Sequence, residues 1–387
     1  MRGVAITGLG IVSGLGCGVQ HHLESLRAGR CGLRSLSLFG LSGLQPSPVG
    51  EVEEPGLQPA QGRSISLALN AARQAIGATT LDGPGVLALG TTTGGIFESE
   101  QHYLKHRGQE GWSDRALLKH HSAGTIADVM AAALNLTAER YTFSTACSSS
   151  ANAVGFGACL VEQGAPWALV GGVDSLCRLT YCGFHALKLL SHSPCRPFDK
   201  DRQGLSLGEG AAFLLLEAEE RAKDRGAFVW GYVGGWGCSS DAYHATAPDP
   251  EGRGAVAAMR AALADAGVSP SDVDYVNAHG TATPANDRSE ALALEALFQS
   301  PAPLTSSTKG ATGHTLGAAG AMEAVIGALS LSSGFAPATV GLQNPDPQLR
   351  IRHVPAGGVA APLAVVLSNS FGFGGNNAVL VLTRSSP

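Results

Sequence analysis

Short apolar runs alternate along the chain with longer segments of small residues. The apolar runs are predicted strands at residues 4–7, 86–89, 168–170, 212–216, 273–277 and 364–367. The small-residue segments are predicted helices at residues 64–76, 148–163, 254–266, 287–298 and 316–331. Because the strands are apolar throughout rather than at every second position, we expect both faces of the sheet to be covered. The pattern predicts an α/β fold with helices on both sides of a buried sheet.

Two parts of the chain repeat one design. Residues 86–95 (VLALGTTTGG) and 275–284 (YVNAHGTATP) both place Gly-Thr-x-Thr after an apolar run. Later in each part, at residues 143–158 and 305–324, a segment rich in Ser and Thr leads into a small-residue helix. We therefore expect two similar halves, residues 1–220 and 221–387, that meet around the charged stretch at residues 217–225.

The composition is that of a well-packed protein without a surplus of positive charge. Of the 387 residues, 44% are hydrophobic and 15% are charged, and the net charge is −5. This balance gives no general reason to bind nucleic acid or an anionic membrane. We identify no run of about 18 apolar residues, so no membrane span is expected. The eight cysteines form no CxxC pair, which favours reduced thiols and a cytoplasmic location.

Cys147 lies among small hydroxyl residues, between a strand-like run and a predicted helix. At the start of a helix, the positive end of the helix dipole favours a thiolate. The free N–H groups there can also receive an oxyanion. A nucleophile and a buried, inert cysteine are both consistent with this position.

Two histidines differ from the others because each lies in a Gly/Thr turn at the end of a buried element. They are His279, just after a predicted strand, and His314, just before a predicted helix. A packed or exposed histidine is the alternative at either position. By contrast, a solvated surface position is expected for His21, His22, His120 and His121.

Glu323 is the only charged residue in the predicted helix at residues 316–331. A buried carboxylate is costly, so it must be neutral or meet a cation. Lys309, five residues before His314, is the natural partner. The pair is either a support for a reactive site or a structural ion pair.

Farther along, Phe371 and Phe373 lie in a glycine-rich turn between two predicted strands. They act either as a gate or as part of a tight hairpin.

Several motifs together resemble the β-ketoacyl-acyl carrier protein synthases of the elongating Cys-His-His type, the condensing enzymes of fatty-acid and polyketide synthesis. The motifs, in chain order, are TGLG, TACSSS, RPFDKDRQGLSLGEGA, SSDAYHATAPDP, HGTATPAND, STKGATGHTLGAAGA and NSFGFGGNN. The resemblance implies a thiolase-like fold, in which two similar halves form a five-layer αβαβα sandwich.

The resemblance also implies roles for residues. Cys147 would carry the acyl chain, and His279 and His314 would stabilise the enolate formed when a malonyl thioester loses carbon dioxide. Lys309 and Glu323 would fix the histidine loop.

The backbone N–H groups of Cys147 and Phe373 would form the oxyanion hole, and Phe371 and Phe373 would gate acyl entry. Residues implied to bind substrate, chiefly the pantetheine arm, are Thr246, Thr281 and Thr283.

The implied partners are an acyl carrier protein bearing acyl and malonyl thioesters, and a second subunit in a homodimer or a heterodimer with a related ketosynthase. No metal or redox cofactor is needed, since the carbanion comes from decarboxylation.

The sequence departs from the family pattern in three places. The segment at residues 33–63 is shorter and richer in Pro and Gly than in elongating members, and Arg63 and Arg73 are among its few nearby positive charges. Asn286 and Gly310 stand where these enzymes often have glycine and a hydroxyl residue. A secondary-metabolite pathway, for example one making polyenes, is therefore an alternative to housekeeping lipid synthesis.

Other classes fit the sequence less well. A biosynthetic thiolase expects a second catalytic cysteine near the C-terminus, and residues 369–377 contain none. An initiating synthase needs Asn where His314 stands. A non-catalytic chain-length partner would lack the nucleophile, and it stays the alternative function. The GxSxG at residues 204–208 has no helix after it, and the segment TGLGIVSG lacks the third glycine of a dinucleotide site.

Overall fold

The computed structural model describes residues 3–41, 43–53, 62–108, 116–298 and 300–386. Every predicted strand and helix is present in it. The strands are β1 Val4–Ser13, β2 Gly16–Cys17, β3 Gly85–Gly90, β4 Ala138–Phe143, β5 Trp167–Asp174, β6 Gly210–Ala218, β7 Gly231–Ser240, β8 Tyr275–Asn277, β9 Leu304–Ser306, β10 Phe335–Ala336, β11 Val359–Ala360, β12 Val365–Gly372 and β13 Asn376–Thr383. The helices are α1 Val19–Arg27, α2 Arg63–Ile76, α3 Ile96–His106, α4 Ala123–Ala133, α5 Ser149–Glu162, α6 Arg178–Ala186, α7 Glu219–Asp224, α8 Arg253–Ala266, α9 Pro284–Leu297, α10 Lys309–Thr312 and α11 Ala319–Ser333.

The strand order is symmetric about the junction of β1 and β7. The order is β4-β3-β5-β6-β1-β7-β13-β12-β8-β9, with β2 paired to β1. Outward from β1, the first two pairings between adjacent strands are antiparallel and the last two are parallel. The same order of pairings runs outward from β7. This topology accounts for the internal repeat. The boundary between residues 220 and 221 stays a prediction.

Five layers follow from how the helices pack. Helices α5 and α11 contribute buried Ala and Val side chains to one core between the two parts of the sheet. Helices α2 and α4 pack on the outer face of the first part. Helices α8 and α9 pack on the outer face of the second part. The predicted αβαβα sandwich is thus confirmed.

The central helices lie close to the strands because their residues are small. A Cβ on Gly155 of α5 would lie 2.2 Å from a ring atom of Trp236, so only glycine fits there. Helix α11 and the turn before it form an apolar stretch of 18 residues, Leu316–Ser333, of which 89% is buried inside the protein. The expectation that no such stretch exists was wrong. Its length and composition would allow a membrane span, but its burial is that of a core helix.

One surface prediction is also wrong. His22 is buried, and its Nε2 lies 2.7 Å from Ser13 Oγ while its Nδ1 lies 2.8 Å from the Gly18 carbonyl oxygen. Burial lowers the pKa of His22 to about 4, so the ring is neutral and packs as a core residue. His21 and His121 are exposed, as expected, and His120 is half-buried.

Candidate active site

Cys147 lies in a single 3-10 turn, Ala146–Ser148, that leads from β4 towards α5. Ala146 has a φ of +52°, a left-handed conformation that is uncommon for a residue with a side chain. The turn is closed by Ser148 Oγ, which donates to the Thr145 carbonyl at 2.7 Å, and by Thr145 N, which donates to Ser149 Oγ at 2.9 Å. This sharp turn places the Cys147 thiol at the N-terminal side of α5.

The second half repeats this turn without the thiol. The turn Leu316–Ala318 leads into α11, and Leu316 has a φ of +51°. Gly317 therefore occupies the position that Cys147 has in the first half. Its N–H donates to Asp174 Oδ2 at 2.7 Å, which ties the end of β5 to the loop that follows His314.

His314 is the closest titratable partner of the thiol, with Nε2 3.0 Å from Cys147 Sγ. The backbone of His314 is held by residues 204–208, the segment that matches GxSxG. His314 N donates to the Ser206 carbonyl at 2.8 Å, and Gly208 N donates to the His314 carbonyl at 2.9 Å. Residues 204–208 thus position a histidine, and no helix follows them.

His279 faces His314 edge-on, with ring centroids 5.2 Å apart. Lys309 Nζ lies 3.3 Å from Nδ1 of His279. Because an ammonium group only donates, Nδ1 is the acceptor, and the neutral imidazole carries its hydrogen on Nε2. Burial and the charge of Lys309 hold the pKa values of His279 and His314 well below their usual range. Both rings are therefore neutral at neutral pH.

Lys309 and Glu323 form the predicted ion pair. Their side chains are 2% and 3% exposed, and Nζ contacts Oε1 directly. Burial raises the pKa of Glu323 to about 7, against the opposing charge of Lys309. The pair stands behind His279 and does not line the cavity described below.

Burial outweighs the lowering of the Cys147 pKa that the sequence predicted from the helix end. Burial raises the pKa of this thiol to about 11, although the charge of Lys309 and a hydrogen bond from the Phe373 N–H both act to lower it. The resting side chain is therefore a thiol. Its proton has a neutral acceptor within hydrogen-bonding distance, the imidazole of His314.

The raised pKa predicts how alkylation of Cys147 depends on pH. Only the thiolate reacts, so the rate with iodoacetamide should rise about tenfold per pH unit between pH 7 and 9.5 without levelling off. The rate is followed by mass spectrometry of the peptide that contains Cys147, which separates this thiol from the exposed Cys31, Cys182 and Cys238. If the rate instead reached a plateau below pH 8, the effect of the helix end on the pKa of Cys147 would outweigh that of burial.

Cys147, His279 and His314 open onto a cavity of about 320 Å³. Its apolar wall includes Phe184, Leu187, Leu189, Leu205, Phe371 and Phe373. Its polar lining includes each of the predicted substrate-binding threonines, Thr246, Thr281 and Thr283. The structure therefore brings the predicted nucleophile, histidines, gate residues and threonines to one cavity.

Phe373 contacts both Phe184 and Cys147. Its ring stacks on Phe184 with centroids 5.3 Å apart, and its backbone N–H donates to the Cys147 thiol. The next residue, Gly374, has a φ of +76°, and its N–H donates to the Ala245 carbonyl at 2.8 Å. This geometry suits the predicted roles in an oxyanion hole and a gate, which remain proposals.

Sequence reasoning missed the buried carboxylates that hold the site. Glu290 accepts from His279 N at 2.8 Å and from Gly280 N at 2.7 Å. Asp287 accepts from Ala282 N at 3.1 Å, within the threonine loop. Their spacing of three residues on α9 was the available signal, because it places both side chains on one face of the helix.

Two of the departures from the family pattern have structural explanations. Arg63 pairs with the buried Glu209, with Nε 2.7 Å from Oε2, so it is not a free surface cation, whereas Arg73 is exposed on α2. Residues 54–61 of the short segment lie outside the described residues. A Cβ on Gly310 would lie 2.0 Å from the Val340 carbonyl oxygen, so no hydroxyl residue fits there.

The ligand atoms of Cys147, His279 and His314 lie within 4.8 Å of one another, a spacing that also suits metal ligands. The expectation that no metal takes part stays a prediction.

Comparisons with known proteins match nearly the whole chain. Residues 1–222 match the family model of the beta-ketoacyl synthase N-terminal domain, and residues 230–343 match that of the C-terminal domain. A curated relative, 3-oxoacyl-(acyl-carrier-protein) synthase 2 of Synechocystis sp., is 35% identical over 408 residues and covers 98% of each chain.

Two solved structures share the whole fold. One is described as the ishigamide ketosynthase/chain length factor, with a TM-score of 0.94, 35% identity and 99% of each chain covered. The other is a type II PKS acyl-carrier protein in complex with its ketosynthase bound to the hexaketide, with a TM-score of 0.92, 27% identity and coverage of 99% of this chain and 100% of that one. On the family models and the full-length relative together, this chain belongs to the β-ketoacyl synthase family.

Proposed function

We propose that this protein is a 3-oxoacyl-acyl carrier protein synthase that joins an enzyme-bound acyl group to malonyl-acyl carrier protein with loss of carbon dioxide. The observation that carries the proposal is the contact of Cys147 Sγ with His314 Nε2 at 3.0 Å, beside a second neutral histidine on the same cavity.

In the first step, Cys147 takes the acyl chain. Its Sγ attacks the carbonyl carbon of the acyl thioester while His314 Nε2 accepts the thiol proton. The backbone N–H groups of Cys147 and Phe373 stabilise the oxyanion. The carbon–sulfur bond to the carrier arm then breaks, and the carrier sulfur leaves as a thiol with that proton.

In the second step, a malonyl thioester enters. The bond to its terminal carboxylate breaks, carbon dioxide leaves, and the electron pair forms an enolate. Once Cys147 is acylated, His314 Nε2 no longer faces a thiol hydrogen, and the ring takes the tautomer with its hydrogen on Nε2. The Nε2–H groups of His279 and His314 then donate to the enolate oxygen, and neutral imidazoles do so without protonating the carbanion as a strong acid would. The enolate carbon attacks the carbonyl carbon of the acyl-cysteine, the bond from that carbon to Sγ breaks, and a 3-oxoacyl thioester remains on the carrier. The Cys147 thiolate takes up one proton from solvent, which balances the carboxylate lost as carbon dioxide.

The proposed partners are an acyl carrier protein and a second ketosynthase subunit. The solved structures named above include a complex with an acyl-carrier protein and a ketosynthase/chain length factor. Here β4 is the outermost strand of its sheet, with no further strand beside it among the described residues. Such an edge can pair with a second subunit. We place the protein in the cytoplasm, in fatty-acid, polyketide or polyene synthesis.

A chain-length partner without catalysis is the second candidate. Such a protein needs the cavity but no nucleophile. The Cys147–His314 contact and the Lys309–His279 contact favour the enzyme, because the first places a proton acceptor at the thiol and the second fixes the tautomer of His279.

The test uses the wild-type protein and a panel of acyl carrier protein thioesters of different chain length. Intact mass should rise by the acyl group alone, and peptide mapping should place it on Cys147. Adding malonyl carrier protein should then return the mass to its starting value and yield a 3-oxoacyl carrier two carbons longer. Folded protein that takes no acyl group from any carrier would overturn the synthase and favour the chain-length partner.

A further inference from the structure

The polar lining of the cavity includes a residue, Asn286, to which no role has been given so far. Asn286, in the first turn of α9, is 9% exposed and lines the cavity beside Thr281 and Thr283. Asn286 is one of the positions at which the sequence departs from the family pattern.

The hydrogen bonds of Asn286 fix the direction of its amide. Nδ2 donates to Asp287 Oδ1 at 3.2 Å, and since a carboxylate only accepts, the nitrogen must face Asp287. Oδ1 is then left without a hydrogen-bond partner among the described residues. This oxygen can therefore accept a hydrogen from a group in the cavity.

The two threonines leave a donor beside this acceptor. Thr281 Oγ1 and Thr283 Oγ1 lie 2.9 Å apart, so one of their two hydroxyl hydrogens is used between them. Both oxygens also accept backbone N–H groups, from Thr283 and from Asn286, at 3.4 Å. One hydroxyl hydrogen therefore remains for a group in the cavity.

The threonine pair thus offers one free O–H donor, and Asn286 offers one free C=O acceptor. Together they are complementary to a secondary amide, which carries one carbonyl oxygen and one N–H. We propose that Asn286 is a specificity-determining residue that accepts the N–H of a secondary amide in the arm of the thioester substrate, while the threonine pair donates to its carbonyl. The inference rests on the proposed function, because it assigns a contact to that substrate.

The test changes the residue and the substrate together. Acyl transfer to Cys147 is measured with an acyl-pantetheine thioester and with analogues in which either amide is replaced by an ester, which keeps the carbonyl and removes the N–H. We expect the wild type to prefer the amide by roughly 5- to 50-fold in kcat/KM at one of the two positions. Asn286→Ala should lose the preference at that position, to below twofold.

Two further variants keep the test decisive. Asn286→Gly also removes the side-chain oxygen. If both variants lose the amide preference, the loss does not come from misfolding of one of them. Thr283→Val should weaken transfer from the amide and the ester alike and leave the preference for the N–H in place. Circular dichroism checks the fold of each variant.

The outcomes separate the two proposals. If the wild type takes no acyl group from any thioester, the proposed function fails. If the wild type is acylated but the amide preference is absent, or is the same in Asn286→Ala, the role of Asn286 is overturned and the proposed function stands.

Discussion

Replacing Cys147 by alanine will abolish acyl loading and lower condensation at least ~10⁴-fold, since the nucleophile has no substitute in the site. The other groups that act on the malonyl unit, His279 and His314, are unchanged in this variant. We therefore expect carbon dioxide release from malonyl carrier protein to continue while 3-oxoacyl product disappears. Intact mass measures loading, and separate assays of carbon dioxide and product measure the two halves of the reaction.

The matched control is Cys177→Ala. Cys177 is also buried, and burial raises its pKa to about 11 as well, but its thiol contacts Thr180 rather than a histidine. This variant should load and condense at nearly the wild-type rate. If Cys147→Ala still becomes acylated on another residue that supports condensation, the assignment of the nucleophile is wrong.

The fold could be predicted because its signals are local and repeated. Apolar strands and small-residue helices recur along the chain, and the two Gly-Thr-x-Thr segments follow β3 and β8, which occupy equivalent places in the symmetric sheet. The pattern could not show which of two opposing effects on a property such as a pKa is the larger. The pKa of Cys147 shows this, because helix position and burial shift it in opposite directions and only the packed structure shows the extent of burial.

The site could be predicted only where its residues lie close together in the sequence. His279 lies beside Thr281 in sequence and in space, and Lys309 precedes His314 closely. Asp174 has no such neighbour, yet its carboxylate accepts from Thr92, Thr93 and the distant Gly317. The Ser206 carbonyl that holds His314 belongs to a motif that the sequence associates with a different chemistry. Contacts between the halves depend on the topology, which no short motif encodes.

Replacing Lys309 by methionine will destabilise the protein and slow condensation. Glu323 then stays buried without its cation, which costs about 3–5 kcal/mol when the carboxylate is charged. The pKa of Glu323, already raised to about 7, will rise further. A raised carboxylate pKa favours the folded state at low pH and loses that contribution as pH rises through the folded pKa. The loss of unfolding free energy relative to wild type should therefore be larger at pH 8 than at pH 6, as measured by urea unfolding.

The double variant Lys309→Met/Glu323→Leu separates stability from chemistry. It removes both buried charges, so most of the lost stability should return and its extra pH dependence should vanish. Condensation should stay ~10²–10³-fold below wild type, because Nδ1 of His279 no longer receives a hydrogen from Lys309 and its Nε2–H is no longer fixed as the donor to the enolate. Recovery of both stability and condensation would make Lys309 and Glu323 a structural ion pair, and would leave His279 oriented by the Glu290 contacts alone.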